Sequence, residues 1–391
     1  MISEFNNSKY EIYKPSGYPT HYRRKEKLGG DLKLGMEYRE IFSKISENDR
    51  KLNDFVLRSK DYYDLVRDAY ASNIHESVSL EGNPLSLTQV RRSSDDYFKG
   101  TPSVKAGPVQ EIINHLYSNF EGFDIMFKLP WTIETVKNTH FFLTEKTDIG
   151  GVPGEFRKGE MAIKAKDENG EEFVAMNASH PGNIEKELNG LLEWIPNSPY
   201  DAVITSAVFF HEFESIHPFS DGNGRVGRTL FQVLLQKLGL KNCKLCKFER
   251  SILKSHDLYY QLLSYTDETL DYSPLIMYVA EALLHAYTNA AEEFEKRDAL
   301  KSMDEATKTI AKRSKTASWF SVADAGSWVQ SIKQQSVRNK LNFLADQDVL
   351  EERGSTASKR YRFKDPFSNV KERIIERSAG VTSESEVSDQ V

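Results

Sequence analysis

Residues 217 to 228, which read HPFSDGNGRVGR, place a histidine, an acid, an asparagine, three glycines and two arginines within twelve positions. Glycines followed by an amphipathic run predict a loop whose backbone N–H groups meet a helix N-terminus, an arrangement that binds phosphate. Arg225 and Arg228 are three residues apart, so both guanidinium groups would lie on one helix face and reach the same polyphosphate. We therefore expect a phosphate-bearing ligand here.

Three other side chains of this segment have the chemistry that phosphoryl transfer needs. Asp221 offers hard carboxylate oxygens for Mg²⁺, and Asn223 could donate to the same anion. His217, with an ordinary pKa of about 6.5, could take a proton from a hydroxyl near neutral pH. The same residues also fit a structural role, in which the loop caps a core helix and the arginines form ion pairs. A Walker A loop is excluded, because no Gly-Lys-Ser/Thr follows the glycines.

The segment resembles the signature of the Fic family, His-Pro-Phe-x-Asp-Gly-Asn-Gly-Arg-x-x-Arg, at every specified position. The resemblance covers about residues 70 to 275 and implies an α-helical core that uses ATP as substrate and Mg²⁺ as cofactor. It implies a protein adenylyltransferase, which transfers AMP to a Ser, Thr or Tyr hydroxyl of a target protein or of the enzyme itself.

By this resemblance His217 is the catalytic base, Asn223 holds the α-phosphate, and Asp221 binds the metal at the α- and β-phosphates. The other implied nucleotide contacts are backbone groups at Gly222 and Gly224, Arg225 at the β-phosphate and Arg228 at the γ-phosphate.

Two further segments resemble the family less specifically. PGEFRKGEMAIK is similar to a β-hairpin flap that aligns a target segment as an added strand, which implies Lys158, Gly159 and Glu160 near the substrate. HDLYYQLLSYTD is similar to the helix that contacts adenine, which implies Tyr260, with Asp267 as a second candidate. Packing roles are the alternative for both segments.

The segment SVSLEG resembles the inhibitory motif of Fic proteins that switch themselves off, here carried by Ser77, Glu81 and Gly82. The implied mechanism is competition: a Glu81 carboxylate paired bidentately with Arg228 would occupy the guanidinium that should hold the γ-phosphate. Ser77 is expected to fix Glu81 through a hydrogen bond to Asn223 or to the helix end. The alternative is a solvated glutamate at the C-terminus of a helix.

Apolar residues at helical spacing predict the elements that position these groups, and the fold class is mainly α-helical with a β-hairpin flap. The predicted helical segments are 36–75, 109–127, 131–144, 183–195, 199–216, 224–240 and 249–289. After about residue 300, short helices followed by two strands around Gly354 have the pattern of a winged helix-turn-helix. The predicted organisation is 1–100 for an N-terminal arm and regulatory segment, 101–300 for the Fic core, 301–365 for a winged-helix module and 366–391 for a disordered tail.

The winged-helix pattern leaves DNA and protein open as partners. Residues 330–364 contain eight basic residues and four acidic ones. The basic residues are Lys333, Arg338, Lys340, Arg353, Lys359, Arg360, Arg362 and Lys364. Ser336, Arg338 and Asn339 could face a groove, while Arg360 and Arg362 could contact the phosphate backbone. A nucleotide-sensing DNA-binding regulator is therefore an alternative function, as are removal of AMP and other nucleotidyl or phosphoryl transfers.

Composition narrows the remaining partners. The net charge of −6 over 391 residues gives no global attraction to nucleic acid or anionic lipid. No apolar stretch approaches the roughly 20 residues that span a bilayer, and no signal sequence begins the chain, so we expect a cytoplasmic protein without a membrane partner. Cys243 and Cys246, with His256 nearest, make too few ligands for structural zinc and are expected as reduced core thiols. A homodimer is left open.

Overall fold

The computed structural model describes residues 8–16, 20–22, 28–30, 32–101, 107–122, 131–166, 172–253, 256–329, 332–355, 358–368 and 370. The chain divides into two compact units, residues 1–49 with 69–289 and residues 50–68 with 290–391. Helices make up 66% of the structure, which confirms the mainly α-helical class. The four-part division expected from the sequence stays a prediction, and most of the expected disordered tail lies outside the described residues.

The helices are α1 (Met36–Asp54), α2 (Ser59–Leu80), α3 (Leu87–Phe98), α4 (Pro108–Tyr117), α5 (Ile133–Thr144), α6 (Ile184–Trp194), α7 (Ala202–Ile216), α8 (Asn223–Lys237), α9 (Phe248–Leu253), α10 (His256–Thr269), α11 (Ser273–Arg297), α12 (Glu305–Ser314), α13 (Val322–Trp328) and α14 (Gln334–Asp346). The strands are β1 (Thr20–His21), β2 (Ala162–Lys166), β3 (Glu172–Asn177), β4 (Leu350–Arg353) and β5 (Arg360–Phe363).

Two long helical predictions are interrupted in the structure. The segment predicted over 36–75 is two helices, α1 and α2. Helix α3 follows them and was not among the predicted helices. The segment predicted over 249–289 is three helices, with Leu270 in a left-handed conformation between α10 and α11. Pro274 then occupies the first turn of α11, where its missing N–H costs no hydrogen bond.

The α7–α8 pair forms the centre of the first unit. Helix α7 is apolar nearly all round, as expected of a helix that is buried on every side. Phe209, Phe213 and Ile216 from α7 join Val226 and Leu230 from α8 in one buried cluster, which α5 and α6 complete. Since both helices are anchored in this core, the short loop that joins them at residues 217–222 has fixed ends.

The β-hairpin predicted after residue 150 is present in the first unit. Strands β2 and β3 pair antiparallel from Ala162 opposite Asn177 to Lys166 opposite Glu172. The sequence did not predict that β1, from the N-terminal arm, pairs parallel with β3 as the third strand of this sheet. Residues 167–171, in the predicted turn, lie outside the described residues.

The second unit contains three helices, α12 to α14, and the antiparallel pair β4–β5. Its core includes Ile310, Leu341 and Tyr361, and Phe320 bridges to Tyr361 by two backbone hydrogen bonds of 2.8 Å. This order of elements is the one on which the winged-helix prediction rests, and that identity stays a prediction.

Four of the basic residues considered for DNA contacts form ion pairs inside the second unit. Lys340 lies 2.7 Å from Asp304, and Lys359 and Lys364 each lie 2.6 Å from a carboxylate, those of Glu352 and Asp348. Arg362 pairs with Glu351 across the β4–β5 pair. Much of the local positive charge is therefore neutralised within the unit.

Two further observations concern expectations from composition. In the part of the chain that the structure describes, no helix is both long enough and apolar enough to cross a bilayer. Cys243 and Cys246 are buried, free cysteines, and burial raises the pKa of both thiols.

Asp201 determines how α7 begins. Its Oδ1 accepts hydrogen bonds from the backbone N–H groups of Val203 (2.9 Å) and Ile204 (3.1 Å), which caps the helix N-terminus. The Tyr38 hydroxyl of α1 donates to the same carboxylate at 2.7 Å. One side chain thus caps the central helix and satisfies a buried hydroxyl.

We expect Asp201→Ala to lower the free energy of unfolding by about 2–3 kcal/mol, because the cap is lost and the Tyr38 hydroxyl is left without an acceptor. Tyr38→Phe is the control, since it removes the hydroxyl but leaves the cap, and it should cost less than Asp201→Ala. Urea unfolding at constant slope measures both. Equal losses in the two variants would show that the cap contributes nothing.

Candidate active site

The loop between α7 and α8 is held at both ends by unusual backbone geometry. His217 ends α7 at φ 51° and ψ 63°, in the left-handed region that side chains with a Cβ rarely adopt. Its N–H donates to the Phe213 carbonyl at 3.0 Å. Gly222 precedes α8 at φ 78°, where an added Cβ would lie 3.2 Å from Cγ2 of Thr144. The two turns fix where the side chains between them point.

The His217 imidazole is held in the form that a base needs. Its Nδ1 lies 3.1 Å from the Glu214 carbonyl oxygen, which can only accept, so Nδ1 carries the proton and Nε2 is the basic nitrogen. Burial lowers the pKa of His217 to about 4, although the bond to Glu214 opposes the shift. The ring is therefore neutral at physiological pH and can accept a proton there.

Asn223 braces the loop. Its Oδ1 accepts from the Phe219 N–H at 2.9 Å, and its Nδ2 donates to the Phe219 carbonyl at 2.8 Å. The side chain is buried and joins the start of α8 to the middle of the loop. The implied α-phosphate contact stays a prediction, and only the second Nδ2 hydrogen is left for it.

Asp221 has one carboxylate oxygen committed to the protein. Oδ1 accepts from the Gly222 N–H and from Nη2 of Arg225, the latter at 3.2 Å. The side chain is 36% exposed, and Oδ2 takes no part in these contacts. The described residues hold no group of three or more His, Cys, Asp or Glu that could bind a metal ion. A single carboxylate suits Mg²⁺, which is commonly bound by one or two carboxylates together with substrate phosphates and water.

Arg225 is buried between two carboxylates. Its Nη1 donates to Oε1 of Glu111 at 3.1 Å, and its Nη2 donates to Asp221. Asn83 in turn donates to the other oxygen of Glu111 at 2.6 Å. Glu111 was not identified from the sequence, because an acid on the amphipathic helix α4 gives no signal of its distant partner. These contacts aim the Arg225 guanidinium at the Asp221 loop.

Arg228 is buried against the end of α2. Nε donates to the Ser77 hydroxyl at 2.8 Å, and Nη2 donates at 3.0 Å both to the Ser77 carbonyl and to Oε1 of Glu81. Two details differ from the sequence prediction: Ser77 bonds the Arg228 side chain rather than Asn223 or the helix end, and Glu81 pairs through one oxygen rather than two. Because Ser77 occupies Nε and shares Nη2, a side-on pairing of both Glu81 oxygens with these two nitrogens is closed.

Glycines make room for this ion pair. A Cβ on Gly224 would lie 2.6 Å from Oε1 of Glu81 and 2.7 Å from Nη1 of Arg228, so any side chain there would disrupt the contact. Gly82, at φ 90°, follows Glu81 in the turn after α2, and its N–H donates to the Ser79 carbonyl at 3.0 Å. Gly82 thus acts through the backbone turn.

Two more carboxyl groups lie around Arg228. Burial raises the pKa of Glu214 to about 8 and that of Glu249 to about 7, although Arg228 opposes both shifts. Burial would lower the pKa of Arg228 itself, but Glu81 and the neighbouring carboxyl groups raise it overall. Arg228 therefore stays charged.

Arg157 connects the flap to this loop and was not identified from the sequence. Its guanidinium is buried and donates to the carbonyls of His217 (2.7 Å), Gly159 (2.7 Å), Ser179 and Ile216. Its own N–H donates to the Pro218 carbonyl at 2.9 Å. The neighbouring Lys158, Gly159 and Glu160 are exposed, and Lys158 lies 3.7 Å from Glu155. Their substrate contacts stay predictions.

His140, on α5, is a third residue that was not identified from the sequence. Its Nε2 lies 3.0 Å from the Asp221 carbonyl, and its Nδ1 lies 2.8 Å from the Gly154 N–H. Burial lowers its pKa to about 4, although the bond to Asp221 opposes the shift. A histidine on a helix gives no sequence signal of these backbone partners.

The two adenine candidates differ in position. Tyr260 is 45% exposed, and burial raises its pKa to about 12, with Arg228 opposing and Glu81 adding to the shift. Asp267 accepts from the Ser215 hydroxyl at 2.9 Å and lies 3.4 Å from Nε2 of His211, so it joins α10 to α7. The surroundings of Asp267 match the packing alternative, and Tyr260 stays the predicted adenine contact.

Comparisons with known proteins agree with this geometry. Residues 130–235 match the model of the Fic/DOC family. The protein adenylyltransferase Fic of Drosophila willistoni is 27% identical over 221 residues, and that of Aedes aegypti is 26% identical over 229 residues. Each alignment covers 55% of this chain and 40% of the relative, so the chain spans less than half the length of the curated relatives it matches.

The fold has a solved counterpart as well. The crystal structure of a Fic family protein from Desulfovibrio desulfuricans G20 aligns with a TM-score of 0.55 at 21% identity, covering 85% of this chain and 97% of that one. The signature loop at 217–228 lies within the matched segment and is built as described above. Residues 130–235 of this chain therefore form a domain of the Fic/DOC family.

Proposed function

We propose that this protein is a protein adenylyltransferase that moves AMP from ATP to a Ser, Thr or Tyr hydroxyl of a target protein. One observation carries the proposal: a single short loop, fixed at both ends, places the basic nitrogen of His217 next to the N-terminus of α8. Arg225 and Arg228 lie on the first turns of that helix. The activity named for the relatives supports the same reaction.

In this mechanism, Nε2 of His217 takes the proton of the target hydroxyl as its oxygen attacks the α-phosphorus of ATP. The bond between the α-phosphorus and the bridging oxygen breaks, and pyrophosphate leaves. The N-terminus of α8 and Arg225 stabilise negative charge on the phosphates. Asp221 would hold Mg²⁺, which would supply further charge neutralisation at the phosphates.

Separate incubations with α-labelled and γ-labelled ATP test this proposal against its rivals. AMP transfer places label from the α-position alone on protein. Label from the γ-position alone would indicate phosphoryl transfer and exclude AMPylation, and release of AMP from a premodified protein would indicate hydrolytic removal of AMP, with water as the acceptor. Because Lys340, Lys359, Arg362 and Lys364 are paired inside their own unit, DNA binding is not part of the proposal.

We also propose that Glu81 holds the enzyme in an inactive state. The Glu81 carboxylate lies 3.0 Å from Nη2 of Arg228, the guanidinium implied for the γ-phosphate. ATP could still bind beside an occupied Arg228, but its α-phosphate would be misaligned for in-line attack, and small displacements in such sites cost large factors in rate.

The first prediction concerns this contact. Glu81→Gly should raise incorporation of α-label by at least about tenfold, which corresponds to about 1.4 kcal/mol of barrier, because Arg228 becomes available to the γ-phosphate. Glu76→Gly is the control, since it removes a glutamate and places glycine in the last turns of α2, one residue before Ser77, but removes no Arg228 partner. Equal rates for Glu81→Gly and wild type at saturating ATP and Mg²⁺ would contradict inhibition by Glu81.

The second prediction concerns the base. In the Glu81→Gly background, His217→Ala should lower transfer by at least about 100-fold, since no other group takes the hydroxyl proton. The dissociation constant for ATP, measured by calorimetry, should change less than about threefold because the phosphate contacts remain. Retention of the parent transfer rate would exclude His217 as the base.

The third prediction concerns Asp221. In the same background, Asp221→Asn should weaken ATP binding about tenfold in Mg²⁺ but leave it nearly unchanged in EDTA, because asparagine keeps an oxygen that can accept from Gly222 and Arg225 but lacks the charged carboxylate for the metal. Calorimetry under the two conditions measures this difference. If the loss of affinity is the same with and without Mg²⁺, Asp221 acts through Arg225 rather than through a metal.

A further inference from the structure

The His140 side chain contacts three parts of the candidate site although it belongs to none of them. It projects from α5 and is only 2% exposed. Its ring meets the Asp221 carbonyl, the Gly154 N–H at the base of the flap, and the face of Phe219. A buried side chain with a partner at every polar atom and along its face has a single available orientation.

We propose that His140 is a positioning residue for nucleotidyl transfer: its imidazole holds the Asp221–Gly222 peptide and the base of the flap in one fixed arrangement. The inference rests on the proposed function only for its catalytic readout, because the contacts themselves do not depend on which reaction the loop performs.

The partners determine which nitrogen of His140 carries the proton. A backbone N–H can only donate, so the contact of 2.8 Å from Gly154 requires an unprotonated Nδ1. A carbonyl can only accept, so the contact of 3.0 Å to Asp221 requires a proton on Nε2. A single tautomer therefore satisfies both backbone groups.

The plane of the ring is fixed as well. It stacks on Phe219 with centroids 3.8 Å apart and an interplanar angle of 4°, and Phe219 is held through its backbone by Asn223. A Cβ on Gly222 would lie 3.5 Å from Cδ2 of His140, so the ring sits close against the turn that starts α8. This stacking directs the two nitrogens at their partners.

The Asp221 carbonyl matters because it sets the orientation of the peptide that follows. That peptide carries the Gly222 N–H, which donates to the Asp221 carboxylate. Without a donor from His140, the peptide could rotate and would move both the carboxylate and the N–H. His140 holds the Asp221 end of the loop, whereas Arg157 holds the His217 end through its bonds to the carbonyls of His217 and Ile216.

Variants of His140 in the Glu81→Gly background separate its contacts. His140→Phe keeps a ring on Phe219 but loses both hydrogen bonds. His140→Gln places an amide nitrogen near the position of Nε2 and can still donate to Asp221, whereas His140→Asn places an oxygen near that of Nδ1 and can still accept from Gly154. Thr139→Ala is the matched control, because Thr139 is equally buried on α5 and its hydroxyl donates to the Thr135 carbonyl of the same helix.

Hydrogen exchange followed by mass spectrometry measures the coupling without any substrate. His140→Phe should speed exchange by about tenfold in peptides covering both residues 150–157 and residues 219–224. His140→Gln should do so only in 150–157, His140→Asn only in 219–224, and Thr139→Ala in neither. Unchanged exchange in both peptides of His140→Phe, or equal changes in the Gln and Asn variants, would overturn the proposal.

Transfer of α-label gives the catalytic readout. His140→Phe should lower kcat by at least about tenfold, and His140→Gln should retain more activity than His140→Asn, because the Asp221 contact is the one that bears on the phosphate loop. The reverse order of the Gln and Asn variants would overturn the assignment. Absence of transfer in the Glu81→Gly parent would refute the proposed function, whereas the exchange pattern would still decide the role of His140.

Discussion

A buried positive charge needs anionic or carbonyl oxygens around it, and the guanidinium of Arg228 imposes this constraint on the site. The segment at the end of α2 supplies the hydroxyl and carbonyl of Ser77 and the carboxylate of Glu81, while Glu249 adds a carboxyl group at 3.7 Å. A ligand phosphate would satisfy the same donors. The charge of Arg228 can thus be satisfied either by the end of α2 or by a ligand phosphate.

The two arginines of the signature, Arg225 and Arg228, differ in the residues that neutralise their charge. Arg225 is paired with Glu111 of α4 and with Asp221 of the loop itself. Arg228 is instead paired with Glu81, directly after the end of α2. The Arg225 guanidinium could therefore bind a phosphate while these two contacts stay in place. Under the proposed inhibition, Arg228 would have to exchange the Glu81 carboxylate for a phosphate, which places the energetics of that regulation at Arg228.

The sequence predicted the signature loop, its helices and the hairpin because these depend on local spacing and on residue types whose chemistry is evident alone. It could not predict His140, Arg157 or Glu111, since each acts through a partner distant in the chain, and for His140 and Arg157 that partner is a backbone group. The single-oxygen pairing of Glu81 could not be predicted either, because Arg228 shares its Nε and Nη2 donors with Ser77, a contact that the spacing of residues does not show.

At His217 the left-handed backbone lowers stability, whereas the imidazole is the group proposed to act as the base. For a residue with a Cβ this conformation costs on the order of 1 kcal/mol, a cost that glycine would avoid. Selection for stability alone would therefore favour glycine, and only the imidazole justifies histidine. Under the proposed role of His217, a copy of this fold that had lost its chemistry would be free to drift toward glycine at position 217, so the residue there would report whether that chemistry is under selection.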